Sequence, residues 1–184
     1  MPGYVQRVKP ETNVKPVRRL LSSASNEPRD ATPTSVANPV VRPPLVVLAA
    51  LFAGAMLNVP WPLPFFPHAL RLPAGCVLVA MAAALFASSI RQFRMAGTPV
   101  PGNQPTTAIV RGGPYRFSRN PIYLAFFVLH LGVAIWVNSL WLVATLVATV
   151  AIIAVFVVPR EERYLTERFG TEYLEYKASV RRWL

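Results

Sequence analysis

The feature that most constrains this fold is an uncharged stretch from Pro121 to Pro159, which contains no Asp, Glu, Lys or Arg. A basic, turn-rich segment, Arg111–Tyr123, leads into it, and Glu161-Glu162 follows it. Asn138-Ser139 divides the stretch into two apolar halves, 122–137 and 140–158. At 1.5 Å per residue, each half approaches the thickness of a bilayer core. The sequence therefore predicts an antiparallel membrane hairpin that returns the basic segment and the acidic pair to the same side.

Two further apolar segments complete the pattern. They cover residues 45–59 and 72–90, and they contain small residues such as Gly54 and Gly75 that suit close helix packing. The turn Pro60–Pro67 between them is rich in Trp and Phe, which settle at membrane interfaces. With 53% hydrophobic and 15% charged residues, the chain is too apolar for an ordinary soluble domain. We therefore expect an all-α, polytopic membrane protein with four transmembrane helices.

The positive charges predict the orientation of these helices. A net charge of +11 would suggest nucleic-acid binding on a soluble protein. Here the Lys and Arg residues cluster before Pro43, between Arg91 and Arg119, and after Pro159. Such clusters between apolar segments are typical of cytoplasmic loops. We therefore expect no nucleic-acid partner, both termini in the cytoplasm, and a multi-pass protein of a bacterial inner membrane.

The two ends of the chain are polar. Residues 1–44 are rich in Pro, Ser, Thr and basic side chains, so we expect a disordered basic tail. This tail is either attracted to anionic lipid or held passively inside by its charge. Residues 160–182 carry an apolar stripe at helical spacing and a break at Gly170. They predict a C-terminal amphipathic helical segment, lying at the interface, on the cytoplasmic loop, or on both.

The segments on either side of the hairpin carry backbone, basic and acidic groups that could bind a ligand. Gly112-Gly113 allows close approach of a ligand to the backbone. Arg116 and Arg119, beside the N-terminus of the third helix, form an anion-friendly position. Glu161-Glu162, with no Lys at helical spacing before it, is free to meet a cation. The arrangement suits a zwitterion, although basic residues next to a membrane helix are also topology anchors and acidic ones also helix-dipole partners.

Cysteine and histidine residues offer no metal chemistry. Cys76 is the sole cysteine, and we expect it to be a small buried residue. His68 and His130 are far apart and have no Cys or acidic neighbour at ligand spacing, so no metal site is expected. At its depth in the third helix, His130 is expected to face the bundle interior in a structural role.

The order of motifs resembles a known family. Gly113–Tyr123, then Glu161-Glu162, then Phe169-Gly170 with Tyr173 and Tyr176, is similar to the isoprenylcysteine carboxyl methyltransferases and the related phospholipid methyltransferases. These are integral membrane enzymes that use S-adenosylmethionine. The resemblance covers roughly Phe93 to the last residue, about half the chain. It implies that residues 45–184 form one membrane methyltransferase domain.

The resemblance also implies a set of site residues. The strip before the Gly-Pro-Tyr turn would wrap the cofactor largely through its backbone; these residues are Thr107, Ala108, Ile109 and Val110. Tyr115 would pack near the cofactor entrance, and Glu162 would lie in the same pocket, together with the motif residues Asn120, Pro121 and Tyr123. Arg116, Arg119 and Glu161 are the candidate catalytic residues. Asn120 replaces the His of the prenylcysteine enzymes, which weakens prenylcysteine as the substrate.

The expected function is transfer of a methyl group from S-adenosylmethionine to a lipid or small hydrophobic acceptor at the cytoplasmic membrane face. The acceptor atom would belong to a carboxylate, an amine or a thiol, and a carboxylate would need no general base. A non-lipid thiol or amine is the first alternative. A non-catalytic membrane scaffold or transport accessory protein, which would not bind S-adenosylmethionine, is the second.

Overall fold

The computed structural model describes residues 42–100 and 105–184, and within these ranges it is helical, without a β-strand. The six α-helices are α1 (Pro43–Asn58), α2 (His68–Met95), α3 (Pro121–Val137), α4 (Leu140–Ile152), α5 (Val158–Phe169) and α6 (Thr171–Ser179). A short 3-10 helix spans Gly113–Arg116, and a π-helical turn, Ile153–Val157, joins α4 to α5. The expected tail, residues 1–44, falls almost entirely outside the described residues. Its last two residues open α1.

Two of the described helices are long and apolar enough to cross a membrane. They are α2, with 28 residues, and the continuous helix Leu140–Phe169, with 30 residues. The first and third apolar segments form shorter helices, α1 with 16 residues and α3 with 17. The second helix also exceeds the predicted range, 72–90, at both ends. It continues through Arg91 and Arg94, which the sequence placed in the basic segment after the helix.

The fourth apolar segment differs most from the prediction. We expected a span ending at residue 158 and a separate helix over 160–182, opened by the acidic pair. The structure instead has one helix that runs through Pro159 and ends at Phe169. Pro159 lacks an amide hydrogen, and in a regular helix its ring would clash with the carbonyl of Val155. The wider π-helical turn, in which the Val158 amide bonds to the Ile153 carbonyl, precedes it and relieves that clash.

Glycines set how closely the helices approach one another. The backbone of Gly75 in α2 faces α3, and an added Cβ would lie 2.8 Å from Trp136 Cβ. Gly54 in α1 faces α4, where a Cβ would lie 2.7 Å from a Leu142 methyl carbon. Cys76 follows Gly75 and is therefore turned outward. Its side chain is exposed, so the prediction of a small buried residue was wrong.

The two turns at the far end of the helices are tied together. Asn138 adopts a left-handed conformation with φ 58°, and its Oδ1 accepts hydrogen bonds from the amides of Phe65 (2.9 Å) and Phe66 (2.8 Å). Its Nδ2 donates to the Phe66 carbonyl at 3.0 Å. Trp141 Nε1 also donates to the Trp61 carbonyl at 2.7 Å. The α1–α2 turn and the α3–α4 turn therefore behave as one unit.

Candidate active site

The Gly-Pro-Tyr turn is built against the end of α2. Gly113 has φ +54°, a conformation that favours glycine, and a Cβ on Gly112 would lie 2.4 Å from Gln92 Oε1. The positive φ makes glycine the favoured residue at position 113, whereas a side chain at position 112 would require Gln92 to move. Tyr115 is buried and packs edge-on against Phe93, with ring centroids 5.4 Å apart. The turn at Gly113 thus brings its tyrosine into the interior.

The C-terminal part of the chain closes over this turn. The Tyr176 hydroxyl donates to the Tyr115 carbonyl at 2.8 Å. Arg111 Nη2 donates to the Glu172 carbonyl at 2.9 Å. Burial raises the pKa of both the Tyr115 and Tyr176 phenols, so they stay protonated at physiological pH and act here as packing and hydrogen-bonding groups.

A cavity of about 490 Å³ lies between these elements. Its walls come from the start of α1, the end of α2, the strip before the turn, the start of α3, the part of α5 around Glu161, and α6. One wall is apolar and includes Leu45, Phe86, Ile90 and Phe126. Its other side carries charged and polar groups. A volume between about 300 and 1,000 Å³ is typical of small-molecule and cofactor sites.

Glu161 is the acidic group with the most unusual surroundings. It is partly buried, it lies beyond the apolar part of its helix, and it lines the cavity. The Tyr123 hydroxyl donates to Glu161 Oε1 at 2.6 Å, and the described residues include no ion pair to this carboxylate. Burial raises the pKa of Glu161 from 4.5 to about 7, and the tyrosine hydrogen bond offsets only part of that effect. The carboxyl group can therefore exchange a proton near neutral pH.

Glu162 is surrounded by cations. Arg119 Nη1 and Arg182 Nε each donate to its Oε1 at 2.9 Å, Arg182 Nη2 donates to Oε2 at 2.9 Å, and Lys177 Nζ lies 3.2 Å from Oε2. Burial by itself would raise the pKa of Glu162, but the hydrogen bonds from Arg182 and Lys177 and the charge of Arg119 outweigh it and lower the pKa. The expectation that this carboxylate is free to meet a ligand cation was wrong. Of the two glutamates, only Glu161 has no cationic partner among the residues that the structure describes.

The cavity brings together nine of the twelve predicted site residues. They are Ala108, Ile109, Val110, Tyr115, Arg119, Asn120, Tyr123, Glu161 and Glu162. Pro121 is buried as the first residue of α3 and orients that helix without lining the cavity. Thr107 and Arg116 have exposed side chains outside the cavity lining. The Thr107 amide instead donates to Thr98 Oγ1 at 2.8 Å.

The structure adds residues that the site prediction omitted. Tyr173 and Tyr176 line the cavity, and their spacing in the apolar stripe was the available signal. Arg182 and Lys177 hold Glu162, and nothing in the sequence pairs them with it. His130 is fully buried beside Thr145, with Nε2 3.3 Å from Thr145 Oγ1, and it does not line the cavity.

Comparison with known proteins decides the family. The phospholipid methyltransferase family matches residues 70–172, more than half of the chain. This chain belongs to the phospholipid methyltransferase family. The matched part of the chain runs from α2 into α6 and so contains the Gly-Pro-Tyr turn, the start of α3 and both Glu161 and Glu162. The family assignment and the apolar helices make the chain a membrane methyltransferase.

One similar protein has a description that names no function. A Haemophilus influenzae protein, described as an uncharacterized protein, is 42% identical over 65 residues, which are 34% of this chain and 100% of that protein. No solved structure matches this chain. The methyltransferases of this family act on lipid-like substrates and generally use S-adenosylmethionine.

Proposed function

We propose that this protein transfers a methyl group from S-adenosylmethionine to a lipid acceptor that enters the cavity from the bilayer. The observation that carries the proposal is the composition of one cavity. It joins an apolar wall to a polar end where Glu161, Tyr123 and Arg119 converge. The polar end suits a zwitterionic cofactor, and the apolar wall suits an acyl chain or another hydrophobic group.

The residues present fit S-adenosylmethionine. The methionyl end of that cofactor carries an ammonium, a carboxylate and a sulfonium. Glu161, unpaired with any described cation, is suited to a positive group. The Arg119 side chain is about 90% buried, and its Nε has no hydrogen-bond partner among the described residues, so it can donate to a carboxylate. We propose that the strip 108–110 and Tyr115 lie along the rest of the cofactor.

When bound, the cofactor supplies an electrophilic methyl group, and the protein supplies alignment and proton handling. Glu161 Oε2 is available to accept the proton that an amine or thiol acceptor releases, because the pKa of this carboxyl is about 7. Tyr123 fixes the orientation of the carboxylate through its 2.6 Å hydrogen bond. These properties favour an amine or thiol over a carboxylate acceptor, which would need no proton acceptor.

Lateral entry of the acceptor follows from the packing of the helices. The start of α1 and the end of α2 both line the cavity, yet α1 packs mainly on α4 and α2 on α3. Leu45 of α1 and Phe86 of α2 are both exposed, at 58% and 39%. In a bilayer a gap between these two helices would face lipid tails. We propose four membrane crossings on this basis, with α1 and α3 crossing a locally thin or indented region because of their length.

The orientation is also a proposal. With four crossings, the basic segments Arg91–Arg119 and Arg160–Arg182 share one face, which the positive-inside rule assigns to the cytoplasm. Residues of both segments, among them Arg119 and Glu161, line the cavity, so in this orientation S-adenosylmethionine would enter from the cytosol. A bacterial inner membrane would satisfy this arrangement.

Calorimetric titration of the purified protein with S-adenosylhomocysteine tests the cofactor. We expect saturable binding that Glu161→Gln weakens. The control is Glu167→Gln, the same chemical change at an exposed position of the same helix. Absence of heat at high micromolar ligand would favour the non-catalytic scaffold and overturn the proposal.

Transfer of a labelled methyl group into a total membrane extract tests the acceptor. Label that partitions with the lipid fraction supports a lipid acceptor. Label found only in water-soluble thiols or amines would replace the lipid by a small-molecule acceptor of the same cavity. The base sensitivity of the labelled product separates a methyl ester from a methylated amine.

A further inference from the structure

The chain after α6 forms a short strap, Val180–Trp183, that lies against the turn before α3. Val180 has φ −126° and ψ 135°, so the helix ends there and the backbone becomes extended. The strap lies beyond residue 172, where the family match ends. The family assignment therefore gives it no role.

The strap fixes the turn that leads into α3. The Arg119 amide donates to the Arg181 carbonyl at 3.0 Å. Asn120 Nδ2 donates to the Arg182 carbonyl at 3.0 Å, and Ser118 Oγ donates to the same carbonyl at 3.3 Å. Residues 118, 119 and 120 of the turn thus each donate a hydrogen bond to a carbonyl of the strap, at residue 181 or 182.

The strap side chains hold two further elements. Arg182 forms the two-pronged contact with both oxygens of Glu162, which belongs to α5. The Trp183 ring packs on Phe127 of α3, with centroids 5.6 Å apart, next to the buried cluster that includes Val157 and Val158. The strap therefore connects the turn, α3 and α5 at one place.

The geometry of Glu162 explains why Arg182 matters. Arg119 is held by one Nη1 hydrogen bond to Oε1, and the same oxygen accepts from Arg182 Nε. A planar guanidinium that contacts both carboxylate oxygens fixes the plane of the carboxylate, which a single contact does not. The plane of Glu162 in turn fixes where Arg119 meets the cavity.

We propose that Arg182 is a positioning residue, which sets the cavity-facing geometry of Arg119 through Glu162 while its own carbonyl holds Asn120. This inference rests on the proposed function, because the geometry matters for a ligand bound beside Arg119. Arg182 itself does not line the cavity. It acts on ligand affinity through other residues and does not contact the reacting groups.

Titration with S-adenosylhomocysteine of the wild type, Arg182→Ala and Arg163→Ala tests the inference. Arg163 follows Glu162 on α5 and is exposed, so its variant removes the same charge without touching the strap. We expect Arg182→Ala to weaken binding by about tenfold, as loss of one charge-assisted contact would, and Arg163→Ala to stay within about twofold. Equal affinities of the two variants would overturn the positioning role.

A conservative variant separates positioning from charge. Arg182→Lys keeps the charge but cannot make both hydrogen bonds in one plane. We expect an affinity between those of the wild type and Arg182→Ala, with the KM for S-adenosylmethionine raised more than kcat is lowered. Full recovery by lysine would show that charge alone suffices and would overturn the inference. If Arg182→Ala does not fold, the comparison of Arg182→Lys with Arg163→Lys decides in the same way.

Hydrogen exchange at residues 118–120 gives a readout that does not need ligand. We expect faster amide exchange there in Arg182→Ala than in Arg163→Ala, because the Arg119 amide depends on the strap. If the wild type fails to bind S-adenosylhomocysteine, the proposed function fails while this exchange difference still tests the strap. If the wild type binds S-adenosylhomocysteine but amide exchange at residues 118–120 is unchanged in Arg182→Ala, the role of the strap is overturned and the proposed function is not.

Discussion

Glu161→Gln should stabilise the folded protein at mildly alkaline pH while weakening ligand binding. The pKa of Glu161 is raised from 4.5 to about 7 in the folded state because the carboxyl is buried without a cation. The folded state therefore holds this proton more tightly than the unfolded chain does. The protonated Glu161 carboxyl therefore contributes fully to the free energy of unfolding below pH 4.5. This contribution is lost as the pH rises through 7.

The size of the effect follows from the same shift. One pH unit of difference corresponds to about 1.4 kcal/mol, so the ionised carboxylate costs the folded state about 3 kcal/mol at about pH 8, and less than about 1 kcal/mol at about pH 5. Glutamine has nearly the same shape, still accepts the Tyr123 hydrogen bond, and carries no charge at either pH. We expect its gain in stability to appear at the higher pH and to nearly vanish at the lower one.

Thermal unfolding in detergent at the two pH values measures this difference. For a chain of this size, about 3 kcal/mol corresponds to a Tm rise of about 6–12 °C at about pH 8. Glu167→Gln, exposed on the same helix, should leave Tm unchanged within about 1 °C. A Glu161→Gln protein that is less stable than the wild type at the higher pH, or equally shifted at both, would refute the reasoning. The burial of Glu161 would then not be what perturbs its pKa.

Three further predictions concern separate parts of the molecule. Tyr123→Phe removes the hydrogen bond that partly lowers the pKa of Glu161. The midpoint of pH-dependent S-adenosylhomocysteine binding should therefore move to higher pH. An unchanged midpoint in calorimetric titrations would contradict the pairing of Tyr123 with Glu161. Asn138→Ala removes three hydrogen bonds between the far turns and should lower stability by about 1–3 kcal/mol, read as a fall in Tm with ligand affinity retained. Asn138→Gly tolerates φ 58° and should be no worse than alanine. Gly75→Val places side-chain atoms against Trp136 and should lower the free energy of unfolding by about 1–3 kcal/mol. Cys76→Val, at the neighbouring exposed position, should change Tm little. Similar losses of stability in the two variants would argue against close α2–α3 contact.

Sequence patterns predicted the helices well where hydrophobicity decides and less well where tertiary contacts decide. The uncharged stretch and the Asn138-Ser139 turn predicted a helical hairpin, because these are the only two polar residues in the run that stand side by side. The end of the fourth helix was predicted wrongly because Pro159 normally ends a helix. A local rule cannot show that a π-helical turn lets the helix continue through it.

The candidate site shows the same division between what sequence patterns indicate and what tertiary contacts decide. The ordered motifs identified the family and predicted Tyr115, Tyr123 and Glu161 as site residues. The role of Glu162 depends on Arg182, twenty residues later, and on Arg119, in another element. No spacing rule pairs such residues. For the same reason, the sequence did not distinguish Arg119, which lines the cavity, from Arg116, which is exposed.

The tie between the far turns has a mechanical consequence for the opposite end of the bundle. Asn138 and Trp141 fasten the α1–α2 turn to the α3–α4 turn, so relative motion of the hairpins is smallest there. The 16 residues of α1 make a lever of about 24 Å from this pivot to the cavity. A tilt of about 5° about the pivot moves the cavity end of α1 by about 2 Å, given that length. A small tilt of α1 away from α2 is thus enough to widen the gap between Leu45 and Phe86 while the tied turns stay in contact.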